Sequence, residues 1–162
     1  MASDFLLEID GIKGESGDSK HKECVEVGSF SWGASNTGAH AAGGGGGTGK
    51  VNFHDISFTA EVNAASPELM LACAEGRPIK KAVLYVRKQG GGAQQNYYTI
   101  TFEGVIVSGY HSGGGGKNVT PLDHFTLNFA KLAYEYKPQK EDQSLGSAVK
   151  TGWDLKTNKK HG

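Results

Sequence analysis

Along most of the chain apolar side chains return at every second position, the period at which successive residues of a strand point to opposite faces. Phe5, Leu7 and Ile9 share one face of an opening stretch. Val25, Val27, Phe30 and Trp32 follow, then Ile56, Phe58 and Val62. Ala82, Leu84 and Val86 alternate with Lys81, Val83, Tyr85 and Arg87. A longer stretch sets Tyr98, Ile100, Phe102 and Ile106 on one side and Thr99, Thr101, Val105 and Val107 on the other. Phe125, Leu127 and Phe129 keep the period, which then slips to Leu132, Tyr134 and Tyr136 and predicts a bulge near Ala130 and Lys131. A last stretch runs from Val149 to Leu155. Seven such stretches joined by glycine-rich turns predict a mainly β fold, a single β-barrel of antiparallel sheets.

One segment breaks the pattern. Ser66 is a capping residue type, Pro67 suits the first helical position, Glu68 suits the positive end of a helix, and Gly76 suits its stop. Between them Leu69, Met70, Leu71, Ala72 and Cys73 predict a short helix, about Pro67 to Glu75, with Met70 filling a gap in the packing. No internal repeat or domain boundary is visible, so residues 1–162 read as one domain.

Two surface features bear on function. Val83 and Tyr85 stand opposite Leu84 and Val86, and Val105 and Val107 opposite Ile106, so these strands are apolar on both faces. A small barrel needs one apolar face, and a second predicts contact with neighbouring molecules. In the run from Gly28 to Gly33 the serines Ser29 and Ser31 alternate with Phe30 and Trp32, which predicts one packed face and one small, uncharged one.

Composition narrows the classes of partner. Seventeen basic and seventeen acidic residues cancel, which removes the electrostatic case for nucleic acid or an anionic membrane. The N-terminus has no signal-peptide pattern, and no apolar run reaches the ~18 residues of a membrane span. Cys24 and Cys73 read as reduced cysteines.

The glycine run Gly43, Gly44, Gly45, Gly46, Gly47, followed by Thr48, Gly49 and Lys50, poses the main chemical question. It resembles a phosphate-binding loop, but that loop needs a strand before it, a hydroxyl residue after the lysine and then a helix. Here Val51 follows Lys50, and the residues beyond it, rich in β-branched and aromatic types, read as strand. The segment therefore reads as a long loop, and loops longer than about 12 residues in compact domains are usually functional or disordered. Elsewhere Asp18 replaces a required glycine in a nucleophile-elbow-like run, and six histidines are scattered without metal-ligand spacing. Asp55, Glu61, Glu103 and Asp123 read as isolated structural carboxylates. No nucleophile, base and orienting group come together in the sequence, so no catalytic residue, cofactor or metal site is expected.

Taken in order, several blocks look like one family. They are Ile9-Asp10-Gly11-Ile12-Lys13-Gly14-Glu15-Ser16, Ser31-Trp32-Gly33, the glycine run, and Asp55-Ile56-Ser57-Phe58-Thr59. Later come Ser66-Pro67-Glu68-Leu69, Leu127-Asn128-Phe129-Ala130-Lys131, Tyr136 with Pro138-Gln139, and Gly152-Trp153-Asp154. This ordered set is similar to the haemolysin-coregulated protein (Hcp) family of the bacterial type VI secretion system. The resemblance implies a β-barrel tail-tube subunit that forms hexameric rings, stacks them into a tube, carries small effectors in the lumen and is secreted without a signal peptide. It implies sheath, spike and baseplate proteins as partners, a role for the loop from Gly43 to Lys50 between subunits, and Ser29 and Ser31 as lumen lining. No appended effector domain is expected. Asp123-His124 departs from the pattern, which has an aliphatic residue after the acidic one. Two other classes fit parts of the sequence: a monomeric adaptor with Tyr97, Tyr98 and Tyr110 as a platform, and a nucleotide binder using Gly44 to Lys50.

Overall fold

The computed structural model describes residues 5–38, 50–90, 93–117 and 120–162. Twelve strands and one helix occur among them, against the seven stretches expected, because several stretches are cut by corners. The strands are β1 (Phe5–Ile9), β2 (Val25–Glu26), β3 (Ser29–Ser31), β4 (Ala34–Asn36), β5 (Val51–Phe53), β6 (Ile56–Glu61), β7 (Ile79–Gly90), β8 (Ala93–Gly113), β9 (Leu122–Asn128), β10 (Lys131–Tyr136), β11 (Val149–Asp154) and β12 (Lys159–Lys160). The helix α1 (Ser66–Glu75) lies between β6 and β7. All pairings are antiparallel, as expected.

Ten strands form one sheet in the order β12-β11-β10-β8-β7-β1-β2, from which β9, β6 and β3 branch at β8, while β4 and β5 make a separate ribbon. The ladder is an open path of strands. Its ends meet at two adjacent residues: Val27 N–H donates to Phe5 O at 3.0 Å, and Gly28 N–H donates to Thr59 O at 2.8 Å. One short segment thus ties β1 to β6 and draws the sheet around a single core. Leu7, Val25, Phe58, Leu84, Phe102 and Phe125 lie in that core, all buried.

The long strand β8 serves both parts of the sheet. Its first half pairs with β7 and β10, and from Ile106 onward it pairs with β9. The change happens at Gly104, whose φ of 62° is a left-handed conformation open mainly to glycine. Ala130 N–H is shared there between Glu103 O at 2.9 Å and Gly104 O at 3.1 Å. The left-handed residue moves the inward phase by one, so Phe102, Val105 and Val107 all reach the core and Ile106 faces out; the register against β9 shifts only further on, between Val107 and Gly109. The expected common stripe of Phe102 and Ile106 is therefore wrong. The second apolar face at 105–107 is present: Ile106, 38% exposed, stands opposite the buried Val105 and Val107. The slip near Ala130 is also larger than a bulge, since it separates β9 from β10 and sends them to different parts of the sheet.

The helix forms where expected, with a different cap. Ala65 occupies the N-cap and makes no side-chain cap bond, so Ser66 is the first helical residue. Asn63 organises the entry instead: its Oδ1 accepts from Ala65 N–H at 2.9 Å, and its own N–H donates to Ser66 Oγ at 2.9 Å. Ser66 Oγ in turn donates to the buried carboxylate of Asp123. Gly76 closes the helix in the left-handed conformation, as expected. Leu69 and Ala72 enter the core, but Met70 is 50% exposed and fills no gap within the chain.

The corner at Gly104 has little room. A Cβ there would stand 2.9 Å from Ala130 Cβ, and the positive φ is strained for any other residue. Gly104→Ala is expected to cost about 2–3 kcal/mol, read as a lower midpoint of denaturant unfolding. An unchanged midpoint would show that the corner tolerates a side chain.

Candidate functional site: a hydroxyl-lined sheet face

The Ser-Phe-Ser-Trp alternation places aromatic anchors inside and hydroxyls outside. Phe30 meets Phe5 edge-on at 5.3 Å between ring centroids and Tyr98 at 5.7 Å. Trp32 Nε1 donates to Tyr98 Oη at 2.9 Å and its ring meets Tyr134 at 5.4 Å. Burial pushes the Tyr98 phenol up to about 12, so it stays neutral and available to accept this bond. With the aromatics held inward, Ser29 and Ser31 are left exposed on the opposite face of β3.

The neighbouring strands continue that face. Ser29 pairs with Thr59 and Ser31 with Ser57; Thr59 then pairs with His124 and Ser57 with Thr126. On β8, His111 pairs with His124 and Gly109 with Thr126. Two parallel rows cross four strands: Ser29-Thr59-His124-His111 and Ser31-Ser57-Thr126-Gly109. Ser29 Oγ and Thr59 Oγ1 share a hydrogen bond. Ser108 Oγ donates to Asp55 Oδ2 at 2.7 Å and lies 2.8 Å from Thr126 Oγ1, while Asn128 Nδ2 donates to Asp55 Oδ1 at 2.8 Å. Stacked rings of Phe58 and Phe125, 5.2 Å apart, support the sheet from below. The result is a polar face of small hydroxyls on β3 and β6 that continues into Thr126, His124 and His111 on β9 and β8. Sequence reasoning found its first strand and missed the other three, because cross-strand registers are not readable from one segment.

The histidines are less scattered than their spacing implies. The His111 and His124 rings lie 6.4 Å apart on this face. No three His, Cys, Asp or Glu side chains converge as metal ligands would among the described residues. His54 Nε2 stands 3.5 Å from Ser35 Oγ, and both are exposed.

The second surface singled out in the sequence is covered by the chain itself. Val83 is 4% exposed, beside Leu6 at 1% and Cys24 at 2%, because the segment 13–24 folds over β1 and β7. Gly14 N–H donates to Glu23 O at 2.7 Å and Ser16 N–H to Cys24 O at 3.0 Å, which shapes that cover. His21 lies against Tyr85, ring centroids 4.3 Å apart. Arg87, 5% exposed, donates to Asp18 Oδ2 at 2.8 Å. Val83 and Tyr85 are therefore core of a small second layer, and the expectation of a neighbour there is corrected. Cys24 belongs to that layer; burial, with Glu8 and Asp18 nearby, pushes its thiol up to about 11. Both cysteines are free, and Cys73 is half-buried.

The tyrosine platform of the adaptor reading does not form. Tyr98 points inward, Tyr110 Oη donates to Asp123 Oδ1 at 2.7 Å, and Tyr97 packs on Tyr136 beneath the Lys88 ammonium. Burial and the Asp123 contact raise the Tyr110 phenol. In the glycine run, Gly43, Gly44, Gly45, Gly46, Gly47, Thr48 and Gly49 lie outside the described residues. Lys50 is exposed, and strand β5 rather than a helix follows it, so the setting of a phosphate loop is missing. No helix among the described residues is long and apolar enough to cross a membrane.

A family model described as "Type VI secretion system effector, Hcp" matches residues 6–136. The chain belongs to the Hcp family. It is 43% identical over 159 residues to Protein hcp1 of Pseudomonas aeruginosa, covering 98% of both chains. A solved structure of a type six secretion system protein superposes with a TM-score of 0.90 at 30% identity, over 97% of this chain and 98% of the other. Hcp1 from Salmonella typhimurium superposes with a TM-score of 0.79 at 32% identity, over 99% and 100%. The antiparallel β fold expected from the resemblance is thus the fold of solved Hcp proteins, and the chain is a type VI secretion protein.

In this Hcp chain the cover over β7 depends on the Asp18–Arg87 pair. The hydrogen bond from Arg87 holds the Asp18 carboxyl below its usual 3.8. A depressed pKa gives stability that is complete above the ordinary value and is lost as pH falls through the depressed one. Asp18→Asn is expected to cost about 2 kcal/mol at pH 7, with the gap to wild type closing below pH of about 4. Denaturant unfolding of both proteins across pH measures this; a gap that persists in acid would place the loss elsewhere than in the ion pair.

Proposed function

We propose that this chain is the tail-tube subunit of a type VI secretion system. Copies close head to tail into hexameric rings, the rings stack, and small effector proteins sit in the lumen against the Ser29 and Ser31 face. The tube leaves the cell with its cargo and engages sheath, spike and baseplate proteins during assembly. The role is structural, with no catalytic step, cofactor, nucleic acid or membrane insertion. Family membership across nearly the full chain supports this reading. The single structural observation that carries it is the polar, hydroxyl-bearing face spread over β3, β6, β9 and the end of β8.

Physical chemistry favours such a face as a lumen lining. Hydroxyls already paired to one another, as at Ser29 with Thr59 and Ser108 with Thr126, present little unmet hydrogen-bonding demand to a passenger. A passenger is then held by many weak contacts and released without breaking any strong one. Gly43 to Lys50 lie in sequence between β4 and β5, which form a ribbon of their own, and we assign this run to contacts between stacked rings.

Negative-stain electron microscopy with mass measurement in solution tests the reading. Closed rings with an open centre are expected, and a uniform monomer at high concentration would overturn it. A bulky side chain at the lumen, Ser31→Trp, should leave rings intact while lowering co-purification of a cargo effector about tenfold or more. Unchanged retention would remove Ser31 from the cargo face.

A further inference from the structure

A groove of about 520 Å³ opens beside the hydroxyl face, where the 27–28 segment, the end of β6 and the start of β9 meet. Three carboxylates, Glu15, Glu26 and Glu61, rim it, and Val62 and Leu122 line it. Val62 is 41% exposed and Leu122 50% exposed, high values for side chains of their kind. Glu26 and Glu61 are exposed and make no ion pair among the described residues. The three acids do not converge as metal ligands would. Three carboxylates beside two exposed apolar side chains fit a protein segment that is basic and carries an exposed apolar residue.

The chain carries such a segment of its own. Its net charge of zero hides a strong asymmetry: residues 1–61 hold nine acidic and four basic side chains, and residues 131–162 hold four acidic and seven basic. The last strands concentrate the positive charge. Lys150, Lys159 and Lys160 on β11 and β12 are exposed and make no ion pair among the described residues. Beside Lys150, Val149 is 68% exposed. β12 pairs with β11 only at Trp153 and Asp154, which leaves residues 149–151 at the sheet edge. The groove adjoins β2 and this edge belongs to β11, near opposite ends of the seven-strand path β12-β11-β10-β8-β7-β1-β2. In strand order β10, β8, β7 and β1 lie between the two patches, and identical copies arranged head to tail would bring each patch against its complement.

We infer that the groove rimmed by Glu15, Glu26 and Glu61 receives the Val149–Lys150 edge and the β12 lysines of a second copy of this chain. The inference rests on the ring reading above and specifies which surfaces close the ring. Val149 packs against Val62 and Leu122, and the lysines face the carboxylates at the rim. Because the charges lie at an exposed rim, the contact weakens as ionic strength rises.

Charge reversal tests the pairing, with assembly read by sedimentation velocity and folding by circular dichroism. E26K/E61K is expected to weaken ring association about tenfold to a hundredfold, and K150E/K159E to do the same. Combining all four substitutions should restore rings. Rings from E26K/E61K as stable as wild type would overturn the inference while leaving the ring reading intact. Loss in either double variant without rescue in the fourfold variant would overturn the pairing of these two surfaces. A wild-type protein that stays monomeric under all salt conditions would remove the ring reading and this inference with it.

Discussion

Strand β8 belongs to both parts of the sheet, and the left-handed backbone at Gly104 is what lets it do so. A straight strand of 21 residues would carry one inward stripe along its whole length. The left-handed corner at Gly104 moves that stripe by one residue and keeps Val105 and Val107 in the same core as Phe102, where the second half of β8 pairs with β9. Everything on the functional side follows from this corner. The four-strand face of β3, β6, β9 and β8 exists because the second half of β8 leaves β7 and β10. The closing hydrogen bonds at Val27 and Gly28 then wrap that face around the core.

Buried polar groups set the positions of the pieces that the sheet does not hold. Asp123 accepts from Ser66 on the helix and from Tyr110 on β8, so one fully buried carboxylate fixes the helix entry relative to two strands. Arg87 and Asp18 do the same for the 13–24 segment over β7. An unpaired charge at either place would carry a desolvation cost with nothing to offset it, so each contact selects one arrangement of its segment. The same carboxylate strand turns His124 outward, next to Asp123 in sequence and opposite to it in direction.

These supports leave two kinds of surface. The hydroxyl face is polar, small-featured and internally hydrogen-bonded, suited to weak and reversible contact. The groove by β6 and the edge at β11 are charged, apolar and opposite in sign, suited to holding neighbours. The proposed tube subunit would use both: one surface to meet a second copy and one to face a passenger without gripping it.

The period-two pattern determined the fold class by itself, because alternation in 4–8-residue stretches depends only on local backbone geometry. The helix was legible for the same reason, with Pro67 and Gly76 marking its ends, and the alternation of Ser29 and Ser31 with aromatics gave the first strand of the candidate face. What the tertiary structure decided was partnership. Whether Val83 and Tyr85 meet a neighbour or their own chain depends on a segment some sixty residues earlier. Whether Ile106 shares a stripe with Phe102 depends on Ala130 reaching Gly104. The rows that join Ser29 to His111 depend on three registers between distant strands. A strand's own sequence says which residues share a face; only its neighbours decide which face turns inward and what lies beside it.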